Sequence, residues 1–343
     1  MQFQGCATGI GSLPFTDATR AVNFVLRYVP KVPFWPQLPK RDIREGMVTQ
    51  FTEGMPCVRV TADGIFFDER DRERELEIFY SRIIAGQIQK FAISADYAQG
   101  IYALYKALEE QGTEGILGIK CQITGPFTVA ASINNSEGTA ILHDEVFKEV
   151  IVKSLVMKAQ WQIKYFSKFN KPIIVFVDEP YLTSFGSAFT PLNREQVVTT
   201  LAELAKDIIS ESVTVGVHCC GNTDWSLFTE IESIGLISFD AYGFWDKLVL
   251  YAENINSFLR RGGILCWGIV PTTSFSEGLS VESLYPHLEE ALNALVKKGI
   301  SRQMLFDQLM VSPSCGCGGL SETEAERVFT VLQKITSKLS SSP

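Results

Sequence analysis

The sequence predicts an α/β fold, a single (β/α)8 TIM-like barrel with a β-hairpin inserted after the second strand. Three observations predict it. Short runs rich in β-branched residues alternate with longer amphipathic stretches; the number of such runs is eight; and an Asp-Gly pair between two apolar runs interrupts the alternation once.

The candidate strands are Cys6–Ile10, Val32–Trp35, Gly115–Ile123, Pro172–Val177, Thr214–His218, Leu236–Phe239, Gly263–Gly268 and Leu309–Val311. Between them, stretches such as 144–169, 193–210 and 283–298 carry apolar residues at helical spacing, as Leu284, Leu288, Leu292 and Leu295 illustrate. Strand, helix and strand repeated in this way imply parallel strands joined by crossover helices. Residues 56–68 break the pattern. Pro56–Val60 and Ile65–Asp68 flank Ala62-Asp63-Gly64, the signature of a tight hairpin turn. No Pro-, Gly- or Ser-rich seam divides the chain, so residues 1–343 read as one catalytic domain, with 337–343 a frayed tail. In a barrel of this type, function gathers where the strands end.

The composition narrows the classes of function. A formal net charge of −8 excludes the clustered positive footprint that phosphate backbones require. Apolar runs such as Ile173–Val177 stop after a few residues, far short of a membrane span. The first residues lack a basic segment followed by an apolar one, so a cytoplasmic location is expected. There the eight cysteines stay reduced, which favours metal binding or simple burial over disulfides.

One constellation carries chemistry. The fifth candidate strand runs into His218-Cys219-Cys220, and residues two apart on a strand share a face. His218 and Cys220 therefore point together toward the barrel mouth. The last strand runs into Ser314-Cys315-Gly316-Cys317 and opens onto the same rim. Two thiolates and an imidazole form a soft set suited to zinc, and three protein ligands leave a fourth position for substrate. Cys317 competes with Cys315 for that role. Cys6, Cys57, Cys121 and Cys266 read as buried hydrophobes, and His143 and His287 as solvent-facing.

Five motifs, in order, carry a resemblance: Ile10-Gly11-Ser12, Thr124-Gly125-Pro126-Phe127-Thr128, Asp178-Glu179-Pro180, His218-Cys219-Cys220 and Ser312-Pro313-Ser314-Cys315-Gly316. Together they resemble the C-terminal catalytic barrel of cobalamin-independent methionine synthase, within the uroporphyrinogen decarboxylase-like superfamily. The resemblance implies a Zn2+ ion held by His218, Cys220 and Cys315, with Asp240 at the position of the family's fourth, glutamate ligand. It implies that Ser12 and Asp178 hold the amino-acid part of homocysteine. Glu179 beside Asp178, and Gln37 near the position of a further family glutamate, are added candidate substrate contacts. Asp178 and Asp240 are the candidate catalytic carboxylates.

The chain has no room for the second barrel of the full-length enzymes and is similar in length to the short, single-barrel "core" forms. That likeness implies methylcobalamin or another methylcorrinoid as methyl donor, free or carried by a corrinoid protein. The expected reaction is methylation of the homocysteine thiol to give methionine. Two other enzymatic readings stay open: a corrinoid:thiol methyltransferase acting on another acceptor such as coenzyme M, and a metal-free decarboxylase acting on a tetrapyrrole. A non-enzymatic zinc-carrying or corrinoid-docking module is the third.

Overall fold

A computed structural model describes residues 3–62, 64–135, 137–187, 190, 192–273 and 278–341. The described residues form nine strands: β1 (Cys6–Ala7), β2 (Val58–Thr61), β3 (Gly64–Phe67), β4 (Ile119–Thr124), β5 (Ile173–Asp178), β6 (Val213–Cys219), β7 (Ile234–Phe239), β8 (Ile264–Val270) and β9 (Leu309–Pro313). Seven of these form one curled parallel sheet in the order β1-β9-β8-β7-β6-β5-β4, surrounded by helices. The arrangement is consistent with a TIM-like barrel.

The sheet has seven strands where the sequence suggested eight. The segment expected as the second strand, Val32–Trp35, forms no ladder. Pro33 and Pro36 have no N–H to give to one. The segment instead lies between the two edge strands. Phe34 makes an isolated parallel bridge to Lys120 of β4, and Gln37 makes another to Ser12 after β1. A closed ring of side-chain hydrogen bonds stands in for the missing ladder. Trp35 Nε1 donates to Gln162 Oε1 at 2.9 Å, Gln162 Nε2 to the Gln122 carbonyl at 3.0 Å, and Gln122 Nε2 to the Trp35 carbonyl at 3.0 Å. All three residues are fully buried, so each bond replaces one otherwise lost to water.

β2 and β3 pair antiparallel, with Val58 opposite Phe67 and Thr61 opposite Gly64. Asp63, expected at their turn, lies outside the described residues. Phe67 anchors the pair by packing edge-on against Phe147, ring centres 4.4 Å apart. Helix ends follow local signals. Asp144 accepts from the amides of Val146 and Phe147 at the start of Glu145–Phe166, and Asn193 with Gln196 forms a capping box at Arg194–Ile208. The last helix, Glu322–Ser341, continues five residues into the tail expected to fray.

Two apolar cores result. Side chains alternate along each strand, so Val175 and Val177 of β5 face the helices while Ile174 and Phe176 face inward. The inward set includes Cys6, Ile10, Leu236, Ile264, Cys266 and Met310. Burying each large apolar side chain contributes about 1.5–3 kcal/mol. This filled interior supports a rim where all the parallel strands end together. Among the described residues, no helix is long and apolar enough to cross a membrane.

Candidate metal centre

Register places the rim residues in one row. Thr124, Asp178, His218 and Ser238 are successive partners across β4, β5, β6 and β7. Cys220 lies just past the end of β6, on the same face as His218, and Cys315 lies two residues beyond β9. One ligand atom each from His218, Cys220 and Cys315 lie within 4.8 Å of one another. Bonds of about 2.3 Å to sulfur and 2.0–2.1 Å to nitrogen in a tetrahedron place such atoms about 3.5–3.8 Å apart, a modest contraction of this arrangement.

The histidine is prepared for ligation. His218 is buried, its Nδ1 is 3.0 Å from Ser238 Oγ, and its Nε2 is buried without any hydrogen-bond partner. A buried ring nitrogen left unpaired costs free energy unless something arrives to receive it. With two sulfurs beside it, the donor set suits a soft divalent cation by chemistry as well as by distance.

The two sulfurs influence each other. The Cys315 thiol, foremost, and the neighbouring His218 ring hold Cys220 well below the usual thiol range. Cys315 is raised, first because its proton is engaged by Cys220 and then by burial. A metal ion bound here would require both thiols in their deprotonated form. Cys317 does not compete. It is 1% exposed, packs in the outer core, and burial pushes its thiol up to about 12. Its amide donates to the Ser12 carbonyl, which fixes the loop that presents Cys315.

The carboxylates divide by role. Asp178 is buried, its Oδ1 has no partner, and burial raises it against the pull of Lys120 and His218. It stands beside His218 at the rim with capacity to spare. Glu179, expected as a substrate contact, is fully buried with both oxygens committed. It accepts from Phe127 N (2.9 Å), Thr128 N (3.0 Å) and Thr128 Oγ1 (2.6 Å) at the start of the helix Pro126–Ser132. A Cβ on Gly125 would lie 2.2 Å from the Glu179 side chain, so the glycine is what admits that carboxyl. The Thr-Gly-Pro-x-Thr and Asp-Glu-Pro motifs therefore form one clamp, which holds the strand end bearing Asp178.

Asp240 is not among the three clustered donors. Its Oδ1 accepts from Gly243 N at 2.9 Å and caps the helix Ala241–Leu248, which accounts for a strand-end carboxylate without ligation. It still senses the centre, since burial and the Cys220 charge both raise it. Gln37 is also occupied: its Nε2 donates to Gln50 Oε1 at 2.8 Å. Ser12 Oγ accepts from Gly318 N at 3.2 Å, and a Cβ on Gly316 would sit 2.1 Å from that oxygen. Ser12 is thus brought against the Cys315 loop, on the edge of the site. His143 is exposed as expected, whereas His287 is half-buried against Tyr242 and Trp245. Ser238 was not legible as a site residue, because only strand register brings it to His218.

No family model matches the chain, and no curated protein matches it. Its fold is similar to solved structures. One is a B12-independent methionine synthase from Shewanella sp. W3-18-1 in complex with selenomethionine, with TM-score 0.63 and 14% identity over 99% of this chain and 98% of that one. Another, provisionally named a vitamin-B12-independent methionine synthase, is from Listeria monocytogenes, with TM-score 0.56 and 13% identity over 94% of this chain and 86% of that one. Both are named as B12-independent, which corrects the expectation of methylcobalamin, another methylcorrinoid or a corrinoid protein as the source of the methyl group.

Proposed function

We propose that this chain is a zinc-dependent methyltransferase that methylates the thiol of homocysteine to give methionine, taking the methyl group from a donor that is not a corrinoid. One observation carries the reading: a buried, unpartnered His218 Nε2 facing the sulfurs of Cys220 and Cys315, with the unsatisfied Asp178 Oδ1 next to them on the rim. The likeness in fold to structures named as methionine synthases, one of them holding selenomethionine, supports it.

A free thiol has a pKa of about 8.5, so only a few per cent is thiolate at neutral pH. A bound Zn2+ would shift a substrate thiol to its nucleophilic, deprotonated form. The protein's own residues do the rest. Ser238 takes the proton side of the His218 ring and leaves the Nε2 lone pair for the ion. Cys220 and Cys315 supply negative charge, which keeps the bound sulfur nucleophilic. Asp178 receives the ammonium of the amino acid, and Ser12 lines the edge where its carboxylate lies. Fixing both ends of the substrate aligns its sulfur for in-line attack on the methyl group. The eight cysteines are all free in the structure, and the reading places the protein in the reducing cytoplasm.

The test is metal analysis of the purified protein followed by Co2+ substitution. About one ion per chain is expected, and homocysteine should intensify the sulfur-to-cobalt charge-transfer band. A protein that binds no ion, or whose cobalt spectrum ignores homocysteine, overturns the reading.

A further inference from the structure

Lys120 is the second residue of β4 and is fully buried inside the sheet. Its backbone pairs with Ile174 of β5, and its side chain climbs toward the rim. The ammonium donates to the Ile10 carbonyl and to Gln122 Oε1 at 3.1 Å, and it lies 4.4 Å from the centre of the Phe176 ring. Gln122 and Phe176 are register partners, two residues before Thr124 and Asp178 on the same inward face. The cation therefore sits one layer, roughly 7 Å of strand, beneath the Asp178 carboxyl.

A buried ammonium is costly, and an apolar side chain of similar length would fill the same space without that cost. Packing alone does not account for the charge. Among the described residues no carboxylate forms an ion pair with Lys120, and its direct partners are a carbonyl, an amide oxygen and aromatic faces. The charge it responds to is Asp178. Burial pulls Lys120 down to about 8, and Asp178 is the foremost influence opposing that fall.

We propose that Lys120 is a positioning residue, a fixed buried cation that offsets the carboxylate charge of Asp178 so that Asp178 can receive the ammonium group of an α-amino thiol. The nature of that ligand rests on the thiol-methylation reading; the coupling between Lys120 and Asp178 does not.

The coupling is read first, without metal or thiol, by thermal unfolding of the full chain as wild type, Lys120→Gln, Asp178→Asn and the double variant. Lys120→Gln removes the charge and leaves a shorter, neutral donor, and the comparison between the two backgrounds cancels the cost of the shortening. It should lower the melting temperature clearly when Asp178 is intact and much less in the Asp178→Asn background. Equal losses in the two backgrounds overturn the proposal. Should Lys120→Gln fail to fold alone, recovery of folding in the double variant supports the proposal, and failure there too overturns it. The second reading titrates Co2+-loaded proteins with homocysteine and with 4-sulfanylbutanoic acid, the same thiol without its amine. Lys120→Gln should lose about tenfold in affinity for homocysteine and less than about threefold for the analogue. Equal losses for both thiols reduce Lys120 to a structural tie. A wild-type protein that binds neither thiol sinks the functional reading, while the unfolding comparison still decides the role of Lys120.

Discussion

His218 and Ser238 are register partners on β6 and β7, and the ring Nδ1 lies 3.0 Å from the serine hydroxyl. That contact engages Nδ1 and leaves Nε2 as the buried ring nitrogen without a partner, on a ring clustered with Cys220 and Cys315. Removing such a partner typically costs about 10–100-fold in metal affinity, because the ring regains freedom and the ligand loses basicity. Ser238→Ala should therefore weaken zinc binding by that factor, measured by competition with a chromophoric chelator. The metal-free protein should also lose about 1–3 kcal/mol of stability, since the variant leaves His218 Nδ1 buried without a partner.

The two cysteines of the last loop should separate cleanly. Cys315→Ser should abolish stoichiometric zinc, as should Cys220→Ser, because a hydroxyl is a poor ligand for this soft site. Cys317→Ser should keep its zinc and lose stability instead, by about 1–3 kcal/mol, since it buries a hydroxyl in an apolar core. Metal content and denaturant melts on the three variants check both halves. Zinc lost from Cys317→Ser with unchanged stability would reverse the assignment.

Much of this site was legible because its chemistry needs rare residues at marked places. Imidazole and thiol side chains gathered at strand ends suit few roles besides metal binding, and the Ser12 and Cys315 loops were readable as rim segments from the strands before them. Three features were not legible, each for a physical reason. An apolar segment between two prolines, residues 32–36, reads like a strand. It is held instead by the Trp35–Gln162–Gln122 ring, whose members are far apart in sequence. A carboxylate at a strand end looks the same whether it meets substrate or a helix start, so Glu179 and Asp240 could not be told from Asp178 before the helices Pro126–Ser132 and Ala241–Leu248 were in place. The choice of methyl donor leaves no mark on the residues proposed to bind the acceptor thiol, and the corrinoid expectation rested on the likeness to the short, single-barrel forms.

Glu179 carries a pH signature. Burial, partly opposed by donors from Thr128 and Phe127, raises it to about 7 from an ordinary 4.5. The folded state thus holds this proton more tightly than the unfolded chain. The associated stability is fully present below about pH 4.5 and is lost as pH rises toward about 7, a span worth at most about 3 kcal/mol. Glu179→Gln removes the titration. The stability difference, wild type minus variant, should fall with rising pH across that window in urea melts of the metal-free protein. A difference that is flat or rising there would show that the donors from Phe127 and Thr128 outweigh burial.

Asp178 tests the substrate reading directly. Its Oδ1 is buried without a protein partner, so a donor from the ligand would satisfy it. A charge-assisted hydrogen bond to an ammonium contributes about 1.5–3 kcal/mol, which corresponds to roughly 10–100-fold in affinity. Asp178→Asn keeps the shape and removes the charge, so homocysteine should bind that much more weakly to the Co2+-loaded protein. The ion itself should stay, because His218, Cys220 and Cys315 are untouched. The comparison with 4-sulfanylbutanoic acid isolates the contact, since a thiol without an amine has nothing to lose at this position. If Asp178→Asn weakens both thiols alike, Asp178 acts on the centre through its charge and the ammonium is bound elsewhere. If it weakens neither, the unpaired oxygen has no role in recognition, and a thiol without an amine becomes the better candidate acceptor.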